Sequence, residues 1–258
     1  MSARPVFYNS AFVRAPERLI LRGGAWRAID IPIRYGVFDH PKLGRCLIDT
    51  GYAPHVTQGP RSAALRLYAA ALRPRLLHGE RPAPEAIAAI LLTHLHADHI
   101  AALRDYPEAP IYADGAGVDH YLNANAFARL RHGVFRELLP VNFTERIVRF
   151  ESRPLVEAPL GLGPARDVFG DGAVLAVPLP GHMRGHTGFV WPKLDPPLLY
   201  AADAQWCACA IMEDRPPGPP ALWIMDDLEA DKETRARIAA FARAGGDVIY
   251  CHDPAPLE

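Results

Sequence analysis

Two short runs of the chain, Ala89 to Leu92 and Leu198 to Ala202, are apolar at every position. Runs of that length without alternation predict strands buried on both faces. Residues 27–50 predict strands with turns. Ile29 to Ile33 alternates in part, and His40-Pro-Lys-Leu-Gly44 reads as a hairpin turn into Arg45-Cys-Leu-Ile-Asp49. Leu65, Tyr68, Leu72 and Leu76 recur at roughly helical spacing, so 61–77 predicts a helix. Pro84 and Glu85 suit the first turn of a short helix. Residues 116–139, carrying Tyr121, Phe127 and Phe135, predict a helix, and so do 228–244, stopped by Gly245-Gly246. Further strands are expected over 147–150, 173–179 and 247–251. The Pro- and Gly-rich stretches 153–172 and 215–220 read as loops. Strands alternate with helices in places and cluster elsewhere, which predicts layered helices and sheets.

The chain's 258 residues lie near the upper end of what one hydrophobic core supports, so a single domain over 1–258 is expected. A hydrophobic share of 50% and a charged share of 22% exclude general disorder. Lys+Arg 28 against Asp+Glu 29 leaves a net charge of -1, with no overall basic field for nucleic acid or an anionic membrane; neither is expected as a partner. No apolar run reaches the ~18 residues of a membrane span, and Met1 to Ser10 lacks the apolar stretch of a secretory signal. Cys46, Cys207, Cys209 and Cys251 contain no Cys-x-x-Cys pair and read as small buried residues. A reducing, cytoplasmic setting is expected.

The candidate chemistry lies in the histidines. Six of the 11 fall in three short segments, each after a strand-like run: His94, His96 and His99; His182 and His186; and His252. Asp98 and Asp203 occupy the same kind of position. Residues two apart at a strand end point the same way, so His94 and His96 can grip one ion. As the chain turns, Asp98 and His99 are directed to a second. Imidazole and carboxylate suit zinc, manganese or iron without a thiolate. A solvated turn would explain one His-x-His, but not four ligand-type residues in six. His40, His55, His78, His120 and His132 show no such pattern and read as surface or core.

The segment His94-x-His96-x-Asp98-His99 resembles the signature of the metallo-β-lactamase superfamily of hydrolases. Leu47-Ile-Asp-Thr-Gly51, Pro180-Gly-His-Met-Arg-Gly-His-Thr-Gly188, Ala202-Asp203 and Cys251-His-Asp-Pro254 resemble further elements of that family, in its order. The subgroup most similar is that of the N-acyl-homoserine-lactonase-like hydrolases. The resemblance implies an α/β fold: a four-layer αβ/βα sandwich of two mixed sheets flanked by helices. It implies two divalent ions, zinc before manganese or iron. His94, His96 and His182 would hold one, Asp98, His99 and His252 the other, and Asp203 would bridge. It further implies a hydrolase in which a metal-bridging hydroxide attacks an ester or lactone carbonyl and Asp98 moves a proton to the leaving group. Thioester hydrolysis of the glyoxalase II type and phosphodiester cleavage are the alternatives. The partner expected is a small ester, lactone or thioester; the sequence gives no oligomeric state. His186 is expected to support the site without ligating, and Asp49 to orient a ligand. Gly181, Gly185 and Gly188 are expected to let their loop pass close to the metals. Lactonase relatives carry a tyrosine three positions after the bridging aspartate. Trp206 stands there in this chain and is expected to pack on the substrate. Tyr121, Phe127 and Phe135 are candidates for the pocket wall.

Overall fold

A computed structural model describes residues 4–79, 81–219 and 221–256. The fully apolar runs become strands that serve two cores at once. In β5 (Ile87–Leu91), Ala89 and Leu91 face one cluster, while Ile87 and Ile90 face another. In β12 (Leu198–Ala202), Leu198 and Tyr200 point to the shared middle core, while Leu199 and Ala201 point to a third cluster. The two-residue period of a strand explains β12 and residues 89–91 of β5; Ile87 lies beyond a register shift against β3 and so faces with Ile90.

Among the described residues the other strands are β1 (Val6–Pro16), β2 (Ala28–His40), β3 (Gly44–Ile48), β4 (Arg75–Leu76), β6 (Ile111–Ala113), β7 (Ile147–Arg149), β8 (Leu155–Ala158), β9 (Gly163–Asp167), β10 (Leu175–Pro178), β11 (Thr187–Trp191) and β13 (Asp247–Tyr250). The helices are α1 (Glu17–Ile20), α2 (Ala63–Leu72), α3 (Ala97–Ile100), α4 (Gly115–Asn123), α5 (Ala126–Arg131), α6 (Ala208–Met212) and α7 (Leu228–Arg243). A 7-stranded sheet runs in the order β4-β1-β2-β3-β5-β6-β7 and a 6-stranded sheet in the order β13-β12-β11-β10-β9-β8. Both are mixed: β3, β5, β6 and β7 pair in parallel, as do β12 and β13, and the other pairs are antiparallel. Phe38, Ile48 and Leu91 of the first sheet meet Ala176, Phe189 and Trp191 of the second in the middle core. Leu65 of α2 and Val118 of α4 cover the outer face of the first sheet. Ile238 and Phe241 of α7 cover that of the second. Helix, sheet, sheet, helix is the four-layer αβ/βα sandwich that the sequence implied. No helix among the described residues is long and apolar enough to cross a membrane.

Several elements differ from expectation. The helix over 61–77 ends at Leu72: Arg73 turns left-handed (φ 47), Pro74 follows, and Arg75 and Leu76 join the sheet edge as β4. The helix over 116–139 is broken at Ala124, which is extended, and Asn125 caps α5 by accepting from Ala128 N–H. The loop expected over 153–172 contains the antiparallel pair β8 and β9. The sequence reading also passed over β1, which pairs along nearly all of β2.

Candidate metal centre

Five strand ends meet at one edge of the sandwich. The chain leaves β3 into Asp49, β5 into 93–99, β10 into His182, β12 into Asp203 and β13 into His252. β3 and β5 run parallel, β12 and β13 run parallel, and β10 shares their direction across antiparallel β11. Loops at the carboxyl ends of parallel strands are the usual place for a site in such sheets.

The side chains form two groups that share Asp203. In the first, His96 Nδ1 lies 3.0 Å from His94 Nε2 and 3.1 Å from His182 Nε2. Asp203 Oδ2 lies 3.6 Å from His182 Nε2 and 4.0 Å from His94 Nε2. In the second, His252 Nε2 sits 3.0 Å from Asp203 Oδ2 and 3.3 Å from Asp98 Oδ2. His99 Nε2 sits 3.3 Å from Asp203 Oδ1 and 3.7 Å from Asp98 Oδ2. All these side chains are buried.

The partners on the far side of each ring decide which nitrogen carries a proton. His94 Nδ1 reaches Thr93 Oγ1 at 3.0 Å, and Thr93 Oγ1–H donates to Asp49 Oδ2 at 2.8 Å. His99 Nδ1–H donates to the same Asp49 oxygen at 2.8 Å, and His252 Nδ1–H to Pro32 C=O at 2.9 Å. Those bonds direct Nε2 of His94, His99 and His252 inward. His186 is different: Nδ1–H donates to Leu179 C=O at 3.1 Å, and Nε2 accepts from Asp203 N–H at 3.2 Å. Both nitrogens are used, so His186 holds the Asp203 turn and has no lone pair for an ion. Asp203 Oδ1 and His99 Nε2 are buried without a hydrogen-bond partner. Inward imidazole nitrogens and carboxylate oxygens gathered within 4.8 Å of one another fit divalent cations bound by nitrogen and oxygen.

The electrostatics separate the two groups. Burial holds the imidazoles of His94 and His182 well below the usual histidine value, with neighbouring imidazoles adding to it, and brings His96 to about 4. Burial also acts on His99 and His252. There Asp203 outweighs it, helped by Asp49 and Asp98 at His99 and by Asp98 at His252, and both stay well above the usual value.

An apolar cavity of about 370 Å³ opens onto the cluster. Val13, Ile33, Leu72, Leu130 and Ile224 are among its walls, with Trp206 beside His182 (ring centroids 6.3 Å apart). Its one cationic liner other than the histidines, Arg131, donates to the carbonyls of Trp223 and Met225 at 2.8 and 3.0 Å. Tyr121, Phe127 and Phe135, the candidates for the pocket wall, are not among the lining residues. Tyr121 is buried and donates to Asp226 at 2.7 Å, Phe135 is buried against Tyr68, and Phe127 is 69% exposed beside Trp223. Leu130 to Gly133 line the cavity in their place.

His132, read as an ordinary histidine, also lines the cavity and sits 3.1 Å from Asp226. Thr93 was passed over too, although it directly precedes His94. Gly181 (φ 131) passes against the backbone of Asp231 in α7, and Gly185 passes against Gly117 in α4. Their lack of a Cβ seats the His182 loop against both helices. Cys46, Cys207 and Cys251 are buried and Cys209 is half-buried. Cys251 also comes within 4.8 Å of His99, Asp203 and His252, with its thiol directed to Arg34 C=O at 3.6 Å.

The family model of the metallo-beta-lactamase superfamily matches residues 37–252. A protein described as a probable metallo-hydrolase in Mycobacterium tuberculosis is 31% identical over 175 residues, 62% of this chain and 53% of that protein. The chain thus spans about half the length of that relative. The N-acyl homoserine lactonase AttM of Azorhizobium caulinodans is 25% identical over 235 residues, covering 87% of this chain and 83% of its own. Among solved structures, a probable metal-dependent hydrolase from Staphylococcus aureus has a TM-score of 0.71 at 13% identity, covering 97% of this chain and 89% of that one. AidC, a dizinc quorum-quenching lactonase with a bound product, has a TM-score of 0.66 at 16% identity, covering 99% and 91%. At these identities the structural likeness is one of fold.

Proposed function

This chain belongs to the metallo-beta-lactamase superfamily, and on that footing we propose that it is a dinuclear-metal hydrolase of neutral, apolar esters or lactones. The observation that carries the reading is the apolar cavity opening onto the paired His/Asp groups. His94, His96, His182 and Asp203 would hold one divalent ion, and Asp98, His99, His252 and Asp203 the other, with zinc suited to both. Such ions supply Lewis-acid polarisation of a carbonyl and bring a water toward ionisation near neutral pH.

The protein's own groups supply the rest. Burial would raise the Asp98 carboxyl, but His99 and His252 outweigh it and hold it below the usual value. Asp98 is therefore ionised at neutral pH. It lines the cavity and can take a proton from the attacking water and return it to the leaving oxygen. Trp206 and the aliphatic wall exclude water and bind an acyl chain. A glutathione conjugate or a nucleic acid phosphodiester carries further anionic groups beyond the reacting centre, and Arg131, the cationic liner other than the histidines among the described residues, donates to backbone carbonyls.

A hydrolysis screen of the zinc-loaded protein tests this. Acyl-homoserine lactones, γ-lactones and 4-nitrophenyl esters of increasing chain length should turn over, with kcat/KM rising as the acyl chain fills the cavity. Faster turnover of S-acyl glutathione or of bis-4-nitrophenyl phosphate would overturn the substrate class.

A further inference from the structure

Among the described residues that line the cavity, only Tyr52 and Tyr68 carry hydroxyl groups. Tyr52 is 1% exposed, just beyond Gly51, and Tyr68 is half-buried on α2. Their oxygens are 2.6 Å apart. No other partner lies within hydrogen-bond reach of either hydroxyl among the described residues. Two hydroxyls joined by one hydrogen bond have one proton left over. If Tyr68 were the donor, the spare proton would sit on Tyr52, the more deeply buried of the two, where an unpaired donor is costly. Tyr52 therefore donates to Tyr68, and the Tyr68 O–H is left for the cavity.

The ring of Tyr68 is fixed for that task. It packs on Phe135 with centroids 5.0 Å apart, and a Cβ at Gly133 would come within 3.3 Å of it. Burial keeps both phenols protonated, and so donors, at neutral pH. The same cavity holds Asp98 and His252, so the free O–H shares a space with the reacting groups.

We propose that Tyr68, oriented by Tyr52, donates the hydrogen bond that fixes a carbonyl oxygen of the bound ester or lactone. The proposal rests on the hydrolase reading above. Tyr68 would be the substrate-contacting residue and Tyr52 a positioning residue. A neutral donor in an apolar wall suits a neutral carbonyl acceptor.

Zinc-loaded wild type, Tyr68→Phe, Tyr52→Phe and the double variant should be compared on N-octanoyl homoserine lactone, with thermal midpoints measured alongside. Tyr68→Phe should lower kcat/KM about tenfold, mainly through KM, and Tyr52→Phe about threefold, the span of one hydrogen bond. The double variant should match Tyr68→Phe, because Tyr52 acts only through its neighbour. Additive losses, or a Tyr68→Phe enzyme within twofold of wild type, would overturn the proposal. Calorimetric binding of N-octanoyl homoserine, the ring-opened acid, gives a readout that needs no turnover. Affinity should fall from wild type to Tyr52→Phe to Tyr68→Phe, and equal affinities would overturn the phenol's role. Binding in that order without hydrolysis would sink the hydrolase reading alone; a wild type that does neither sinks both.

Discussion

The two halves of the candidate centre share Asp203 but solve opposite electrostatic problems. His94, His96 and His182 crowd one another, and burial outweighs the pull of Asp203 and keeps them neutral. His99 and His252 lie among Asp203, Asp98 and Asp49, and those carboxylates keep them protonated in the metal-free chain. One half is a set of lone pairs waiting for a cation; in the other, protons already stand where a cation would go. The same residue types thus give one subsite that an ion can enter directly and one where it must first displace protons.

Breaking the shared member should have the largest effect. Asp203→Ala removes the carboxylate between both halves, and misplacing catalytic groups by ~1 Å can cost about a hundredfold in rate. Turnover should fall by orders of magnitude and both ions should bind more weakly, with the fold retained by circular dichroism. His252→Ala on the same metal analysis should lose one ion only; loss of both there would show that the halves are not separable.

Asp49→Asn should act on one side. Asp49 is fully buried, accepts from Thr93 N–H at 2.8 Å, and fixes His99. A support of this kind is worth about 10- to 100-fold in metal affinity. The second ion should weaken by that factor while the first, held through Thr93 and His94, weakens less. Equal loss at both would undo the distinction.

The smallest effect to read is in protons. Metal titrations in buffers of different ionisation enthalpy should show about two protons released as the second ion binds near pH 7, and few for the first. The metal-free chain carries the same contrast in its stability. His96 and His186 are depressed to about 4 by burial, so between pH 4 and 6.5 the unfolded chain binds more protons there than the folded one. Their contribution falls as pH drops through that window. His99 and His252 are raised, so theirs is fully present below about pH 6.5 and is lost as pH climbs through their folded values. Urea midpoints of His96→Gln and His252→Gln against pH should therefore shift in opposite senses.

What the sequence showed and what it hid follow from one cause. β5 and β12 were legible because strands buried on both faces have no polar interruptions, and each runs straight into its ligands. β8 and β9 were hidden because β9 opens on Gly163-Pro164, opposite Ala158 and Glu157 of the edge strand β8, and Pro is tolerated near the start of a strand. The ligand-type residues were legible because they are local in sequence. The cavity was not. Val13, Ile33 and Leu72 meet only through the register of β1 on β2 and the packing of α2, and no local pattern marks that. The Tyr52 and Tyr68 pair was hidden for the same reason, as was His132, whose partner Asp226 lies far along the chain.

The spread of the centre along the chain, from Asp49 to His252, bears on how the protein acquires its ions. His94, His96, Asp98 and His99 sit within one short stretch and stay close together even in the unfolded chain, whereas His182, Asp203 and His252 arrive only when both sheets have formed. Contacts between distant segments are slow to form. A cation offered early in synthesis or refolding therefore meets a partial, flexible claw first. Binding to the unfolded chain reduces the stabilisation a cation gives the folded one. The expected outcome is a higher refolding yield when metal is added after folding than when excess metal is present from the outset.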